Sequence, residues 1–435
     1  MLKEILKKTK NPLVVSDFDG TISLRDISYE LLEKFSEGGW EDIDKAYING
    51  DIGSKQAFSM ILERLKAKKS ELTDFISQIT SIDPHFKEFC RYLKDLGIDL
   101  VVVSDGFEFY IRKLLEKEGI YDIPIFANDI EEDKDGKLIP IFPYHNKECD
   151  KCGNCKRDVI KTLMEEHDYL IFIGDGYSDK CPSELADTLF AKRFLYQHAA
   201  REEIPAVYFR RFDDITREFE KEIKGVIFDL DETLVDSIDA IKTAFIYTIE
   251  KLKLDTDIEK TFVEMMHWPL TTSFEKLFPG VDLKELVDVF RKKYYSIYKE
   301  MTPVKDGMRD LLVNLNELGI KLSVATNKHG PYARELITHL GIGDLFCTVV
   351  GAGDVENPKP ATDMIDAAMV KMDTKKEDTV FVGDSIVDIE AAKNSQLDIY
   401  CLAQSISTPE QLAEKRPRKI FYNTEDLKKD LISSI

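Results

Sequence analysis

PLVVSDFDGTISLRD at residues 12–26 and IKGVIFDLDETLVDS at residues 223–237 each carry a short β-branched apolar run that stops at Asp-x-Asp-x-Thr. An unbroken apolar run of this length reads as a strand buried on both faces, as strands inside parallel sheets are. Two further pairs follow in the same order: DLVVVSD (99–105) with KLSVATN (321–327), and LIFIGDGYSD (170–179) with TVFVGDSIVD (379–388). The offsets between partners are 212, 222 and 209 residues. A near-constant offset of about half the chain lies far beyond the roughly 20–50 residues of solenoid repeats, so a whole domain has been duplicated.

The length of 435 residues agrees, since domains run to about 100–200 residues. We place the boundary near Glu222, giving halves 1–222 and 223–435. Each half alternates strand-like runs with longer helical patterns, such as EFYIRKLLEKEG after DLVVVSD and ARELITHLG after KLSVATN. That alternation predicts an α/β fold: two tandem domains, each a parallel sheet flanked by helices. Every motif falls where an apolar run stops, and ligands of such sheets sit beyond the carboxyl ends of the strands, so the motifs are expected to converge. Residues 24–82 and 238–302 are polar and helical in pattern, and read as a helical cap inserted in each half.

Composition narrows the function. Against 60 Lys+Arg stand 81 Asp+Glu, a formal net charge of −21 that repels phosphate backbones and anionic lipid, so neither nucleic acid nor membrane is an expected partner. The basic runs KKTK (7–10) and AEKRPRK (413–419) read as solvated surface. No stretch is apolar enough to span a bilayer, and MLKEILKKTKNP lacks the apolar core of a signal peptide, which predicts a soluble cytoplasmic protein. Seven cysteines, four of them at 149, 152, 155 and 181, do not make a disulfide framework and suit a reducing compartment. Cys149, Cys152 and Cys155, with His145 and Cys181 elsewhere in the half, have the residue types for Zn²⁺. Reduced thiols bracing the loop around Lys156 is the preferred reading.

The motif residues form a set suited to phosphoryl transfer through a covalent aspartyl phosphate. Asp17 and Asp229 are the candidate nucleophiles. Asp19 and Asp231, two residues on, are the candidate general acids and bases. Ser104 and Thr326 would hydrogen-bond a phosphoryl oxygen, and Lys156 and Lys359 would set a positive charge beside it. Packed carboxylates need a hard cation, and Mg²⁺, one per domain, suits Asp17 with Asp175 and Asp229 with Asp384. Asp179 and Asp388 are further ligands or supports, and Asp19 and Asp231 are also assigned to the metal sets. Candidate substrate-binding residues are Thr21, Asp105, Gly106, Thr233 and Asn327; Lys328 and His329 either point into the second site or open the next helix.

This motif set, in order and twice, resembles the haloacid dehalogenase (HAD) superfamily. The resemblance implies Rossmann-like domains, Mg²⁺ and hydrolysis of small phosphorylated metabolites. Through DFDGTI, NGDIGSKQAF, FPYHNKECDKCGNCKR and FIGDGYSDKCPSELADTLFAK, the first half is similar to the phosphoserine-phosphatase-like branch, especially 2-hydroxy-3-keto-5-methylthiopentenyl-1-phosphate phosphatases. That likeness selects Lys156 over Lys161, and SDG at 104–106 departs from the two glycines of phosphoserine phosphatase, which argues against phosphoserine. In the first cap, Gly53, Ser54, Lys55 and Gln56 line the pocket or form a helix start capped by Ser54. The second half resembles phosphoglycolate phosphatases through FDLDETLVDS, VVGAGDVENPKPATD and VFVGDSIVDIEAA. It departs from that family at Glu232, where glycine is usual and where the added carboxylate would repel a second anion on the substrate, and at His267 in the cap. Trp40 and Trp268 fall in the two caps, as core or as substrate platforms. Two rival functions stand beside a tandem phosphatase: a sugar phosphomutase in the second half, or one half serving only to bind or regulate.

Overall fold

A computed structural model describes every residue except 1, 3–5, 7, 80, 267–269, 405–406 and 434–435. His267 and Trp268 lie outside the described residues. The chain divides into two compact units, Leu2–Glu220 and Lys221–Ile435.

In the first unit the strands are β1 (Pro12–Ser16), β2 (Asp99–Phe107), β3 (Ile125–Glu132), β4 (Leu138–Ile141), β5 (Tyr169–Gly174), β6 (Thr188–Ala191) and β7 (Val207–Tyr208). Their order is β7-β6-β5-β1-β2-β3-β4. All neighbours are parallel except β3 and β4. The second unit holds β8 (Gly225–Phe228), β9 (Lys321–His329), β10 (Thr348–Ala352), β11 (Thr379–Gly383), β12 (Asp398–Leu402) and β13 (Lys419–Phe421). These are parallel throughout, in the order β10-β9-β8-β11-β12-β13.

The apolar runs explain which strands are central. Leu13, Val14 and Val15 are fully buried, as are Val226, Ile227 and Phe228, because helices cover both faces of the sheet. β1 pairs with β2 and β5, with Ser16 opposite Val102 and Ile173. β8 pairs with β9 and β11, with Phe228 opposite Val324 and Val382. The Asp that follows each central strand is therefore flanked by the ends of the strands carrying the later motifs.

Among the described residues five α-helices lie between β1 and β2, at Ile27–Phe35, Glu41–Asn49, Ser54–Leu62, Lys69–Gln78 and Phe86–Leu96. Five lie between β8 and β9, at Ile238–Leu252, Ile258–Met265, Leu270–Leu277, Leu283–Met301 and Met308–Glu317. Trp40 packs on Tyr29 with ring centroids 5.3 Å apart, inside the first set of helices. The basic run at 413–419 is only partly solvated. Lys419 opens β13 with its side chain buried and its ammonium 2.9 Å from Asp430, so this lysine reads inward because its partner lies on the following helix. No described helix is long and apolar enough to cross a membrane.

Candidate active sites

In each unit the chain leaves the central strand through the same hydrogen bond. Asp17 N–H donates to the Ile173 carbonyl and Asp229 N–H to the Val382 carbonyl, both at 2.9 Å. This fixes the two aspartates at the carboxyl edge of their sheets. The residue three beyond each has a left-handed backbone, with φ of 73° at Gly20 and 63° at Glu232. Glycine adopts this at no cost, whereas glutamate carries a strain of about 1–2 kcal/mol.

Lys156 and Lys359 tie the motifs together. Lys156 Nζ lies 2.7 Å from Asp17 Oδ1 and 2.7 Å from Asp179 Oδ1; Lys359 Nζ lies 2.6 Å from both Asp229 Oδ1 and Asp388 Oδ1. All six side chains are buried. Burial opposes each ammonium charge, but the adjoining carboxylates outweigh it and hold both lysines protonated. Asp179 Oδ2 accepts from the N–H groups of Asp175 and Gly176 at 3.0 Å each. Asp388 Oδ2 accepts from Ser385 N–H at 3.1 Å and from its hydroxyl at 2.6 Å. These two aspartates thus orient the lysine and the neighbouring loop at once.

Asp17, Asp175 and Asp179 offer oxygens all within 4.8 Å of one another, and so do Asp229, Asp384 and Asp388. Buried oxygen donors at this density fit a hard divalent cation. Burial first, and then the other carboxylates, push the Asp17 and Asp175 acids above their usual range; Asp229 is pushed up to about 7. The carboxylates of Asp19 and Asp231 stand outside both clusters. Asp19 accepts from Ile27 N–H at 2.9 Å and Tyr110 O–H at 2.5 Å, while Asp231 binds Lys328 Nζ at 2.7 and 2.9 Å. Burial, then repulsion from Asp26, raises the Asp19 acid despite the Tyr110 and Ile27 hydrogen bonds.

Several of the candidate substrate-binding residues also hydrogen-bond within the scaffold. Thr21 donates to Asp175 at 2.8 Å and Thr233 to Asp384 at 3.0 Å, steadying the acidic clusters. Asp105 accepts from Asn154 N–H at 2.9 Å, and Asn327 donates to the Lys359 carbonyl at 3.0 Å, so both position the lysine loops. Ser104 Oγ accepts from Gly106 N–H and Thr326 Oγ1 from Lys328 N–H, each at 3.1 Å, which leaves the hydroxyl hydrogens to donate.

Two further readings are corrected, and the cysteine loop is placed. Glu232 faces the helix that follows β8: its carboxylate accepts from Ser237 N–H and Ile238 N–H and pairs with Lys305 at 3.3 Å, so it caps the Ile238–Leu252 helix and is not a bare charge. Gly53, not Ser54, caps the Ser54–Leu62 helix. Ser54 Oγ accepts from Gly153 N–H at 3.0 Å, and Lys55 pairs with Asp150 at 2.8 Å, fastening this helix to the loop that carries Lys156. Cys149, Cys152 and Cys155 are free thiols and, among the described residues, do not gather as a metal-ligating group. Tyr110 and Tyr294 were not anticipated; only their place in helical stretches near the motifs pointed to them.

Residues 226–401 match the family model "Haloacid dehalogenase-like hydrolase", and residues 12–197 match the family model "Putative Phosphatase". The chain is 29% identical over 216 residues to a 2-hydroxy-3-keto-5-methylthiopentenyl-1-phosphate phosphatase of Brevibacillus brevis, covering 48% of this chain and 95% of that protein. It is 30% identical over 206 residues to pyrophosphatase PpaX of Halalkalibacterium halodurans, covering 47% of this chain and 95% of the relative. It is also 30% identical over 228 residues to Pdp3-interacting factor 1 of Schizosaccharomyces pombe, covering 50% and 98%. With two sheets of this topology and two such sites, the chain belongs to the haloacid dehalogenase superfamily. Within that superfamily it is a phosphatase, a phosphoric monoester hydrolase.

Proposed function

We propose that both units are catalytic and that each hydrolyses a small phosphorylated metabolite through its own aspartyl phosphate. One observation carries this reading: each unit sets a buried lysine between a strand-end aspartate and an acidic cluster, with no member of the set missing from either. Asp17 or Asp229 attacks phosphorus while the bond to the leaving oxygen breaks, and Asp19 or Asp231 gives that oxygen its proton. The same acid, now a carboxylate, takes a proton from water; the water oxygen bonds to phosphorus, the acyl–phosphate bond breaks, and phosphate departs. Ser104 and Thr326 donate to a phosphoryl oxygen, and Lys156 and Lys359 keep the nucleophiles ionised and aimed. Mg²⁺, held by Asp17, Asp175 and Asp179 or by Asp229, Asp384 and Asp388, would neutralise charge on the phosphoryl group.

The compounds named for the Brevibacillus and Halalkalibacterium relatives, the methylthiopentenyl phosphate and pyrophosphate, are the first to assay. Acid quenching during turnover followed by peptide mass mapping tests the reading. Phosphoryl groups are expected on the peptides containing Asp17 and Asp229; a unit whose aspartate never carries one, despite turnover, does not follow this chemistry.

A further inference from the structure

The acidic cluster of the first unit has a cation of its own on the solvent side. Lys156 serves Asp17 and Asp179, and Asp175 is left to Arg193. Arg193, two residues beyond β6, sends Nη1 to Asp175 Oδ2 and Nη2 to the Leu24 carbonyl, each at 3.1 Å. Its side chain is 53% exposed and that of Asp175 only 8%, so the guanidinium covers the cluster from outside. The surroundings are shaped for this pair. A Cβ on Gly20 would stand 2.4 Å from Asp175 Oδ2 and 2.6 Å from Arg193 Nη1, which leaves room for glycine alone. Arg193 itself has a left-handed backbone, φ 50°, which a residue with a side chain keeps only where its surroundings impose it. In the second unit Glu232 takes the place of Gly20. The pairings Gly174–Ala191 and Gly383–Cys401 put the uncharged Ala403 where the first unit has Arg193.

Both partners of Arg193 matter to a divalent cation. Asp175 accepts from Thr21 at one oxygen and from Arg193 at the other, so a cation among Asp17, Asp175 and Asp179 draws on a carboxylate already engaged at both ends. It also meets the guanidinium charge at short range. Cation and guanidinium thus compete for the same negative charge, and by linkage each weakens the other equally. Leu24 marks the junction where the chain leaves for the helices between β1 and β2. Its N–H donates to the Ser81 carbonyl at 2.6 Å, and Ser23 bridges Ile82, so the outgoing and returning segments are joined there. One fork therefore holds an acidic ligand with one nitrogen and this junction with the other.

We propose that Arg193 is a built-in counter-ion of the first acidic cluster that a divalent cation must displace from Asp175, and that this displacement couples cation binding to loosening of the junction at Leu24. Arg193 is a positioning residue, since it acts through Asp175. The proposal rests on the reading that Asp17, Asp175 and Asp179 hold a divalent cation.

The test titrates Mn²⁺, whose free ion is counted by its electron paramagnetic resonance signal, into the full chain carrying Asp229→Asn and Asp384→Asn to disable the second cluster. Arg193→Ala in that background should tighten the Kd at least about fivefold, the low end of coupling between linked sites. The difference should narrow at high salt, because the guanidinium is half exposed. Arg193→Gln, neutral but larger, should reproduce the alanine result, and Arg193→Lys, which keeps the charge, should stay nearer the parent Kd. Amide hydrogen exchange of residues 22–26 reads the junction. It should quicken when Mn²⁺ saturates the arginine chain, and should already be quick in Arg193→Ala with or without Mn²⁺. A Kd unchanged or weakened by both neutral variants, or exchange that ignores Mn²⁺ and the substitution alike, overturns the proposal and leaves the cation site standing. Failure of every chain to bind Mn²⁺ refutes the cation site and the proposal with it. Neither readout needs turnover, so hydrolysis by the first unit is judged separately.

Discussion

Lys156→Met is the most informative perturbation of the first site, because it removes the one ammonium held between two buried carboxylates. The substitution keeps an unbranched side chain one atom shorter and abandons Asp17 and Asp179, each 2.7 Å from the missing nitrogen. Deleting one partner of a buried ion pair costs about 3–5 kcal/mol, because the charge left behind is uncompensated. For a unit of this size that is roughly 6–20 °C in Tm. The pH dependence gives a second, independent signature. Burial and Asp179 already hold the Asp17 acid above its ordinary value of 3.8, and Lys156 is its principal restraint. Without the lysine the folded state keeps a proton on Asp17 over a wider range than the unfolded chain does. The stability deficit relative to the wild type is therefore smallest at acid pH, grows as pH rises above the already raised folded value of the wild-type Asp17 acid, and levels off above the still higher value in the variant. Trp40 is the only tryptophan of the first unit, so thermal unfolding followed by its fluorescence in a Trp268→Phe background reads that unit alone. A loss below about 1 kcal/mol at neutral pH, the size of an exposed pair, would refute the claim that this lysine neutralises a buried acidic cluster. So would a deficit that grows as pH falls.

Three other outcomes follow from the same geometry. Tyr110→Phe removes a hydrogen bond that favours ionised Asp19, so the acid should rise and the alkaline limb of first-site kcat/KM should move to higher pH; a pH–rate profile in the Asp229→Asn chain checks this, and a downward shift contradicts it. Gly106→Ala puts a Cβ 1.9 Å from Tyr110 Oη and 2.4 Å from Asp19 Oδ2. It should cost the first site at least about a hundredfold in kcat/KM, the order expected when catalytic groups are displaced by an ångström, while activity in the second is retained; equal losses in both would show that the clash is not local. Glu232→Ala loses the helix cap yet keeps the strained φ of 63°, whereas Glu232→Gly loses only the cap, so the alanine variant should be less stable by about 1 kcal/mol in denaturant titrations.

Much of the site can be read from the sequence because its parts sit at strand ends and recur. The apolar runs before Asp17 and Asp229 mark central strands, and the repeated Gly-Asp after β5 and β11 marks the adjoining edge. Residues whose partners lie far along the chain are a different matter. Lys328 meets Asp231 across 97 residues and Tyr110 meets Asp19 across 91, so no local pattern declares either contact. Glu232 looked like an intruding charge because its backbone position is usually glycine, and only the fold shows Ser237 and Lys305 absorbing it. The hydroxyls of Thr21 and Thr233 reach the acidic clusters at Asp175 and Asp384, contacts that span more than 150 residues and that no local pattern declares. The contrast between SDG at 104–106 and TNK at 326–328 was visible as letters; its meaning required the distances around Gly106.

The central claim is that one chain carries two separate catalytic centres. Phosphate release from a panel of phosphorylated metabolites with Mg²⁺, measured for the wild-type chain, Asp17→Asn, Asp229→Asn and the double variant, addresses it most directly. Each single variant should lose a different part of the panel, the two losses should together account for the wild-type activity, and the double variant should be silent. If one substitution abolishes every activity while the other alters only affinity or regulation, the chain has a single catalytic centre and the two-site account is contradicted.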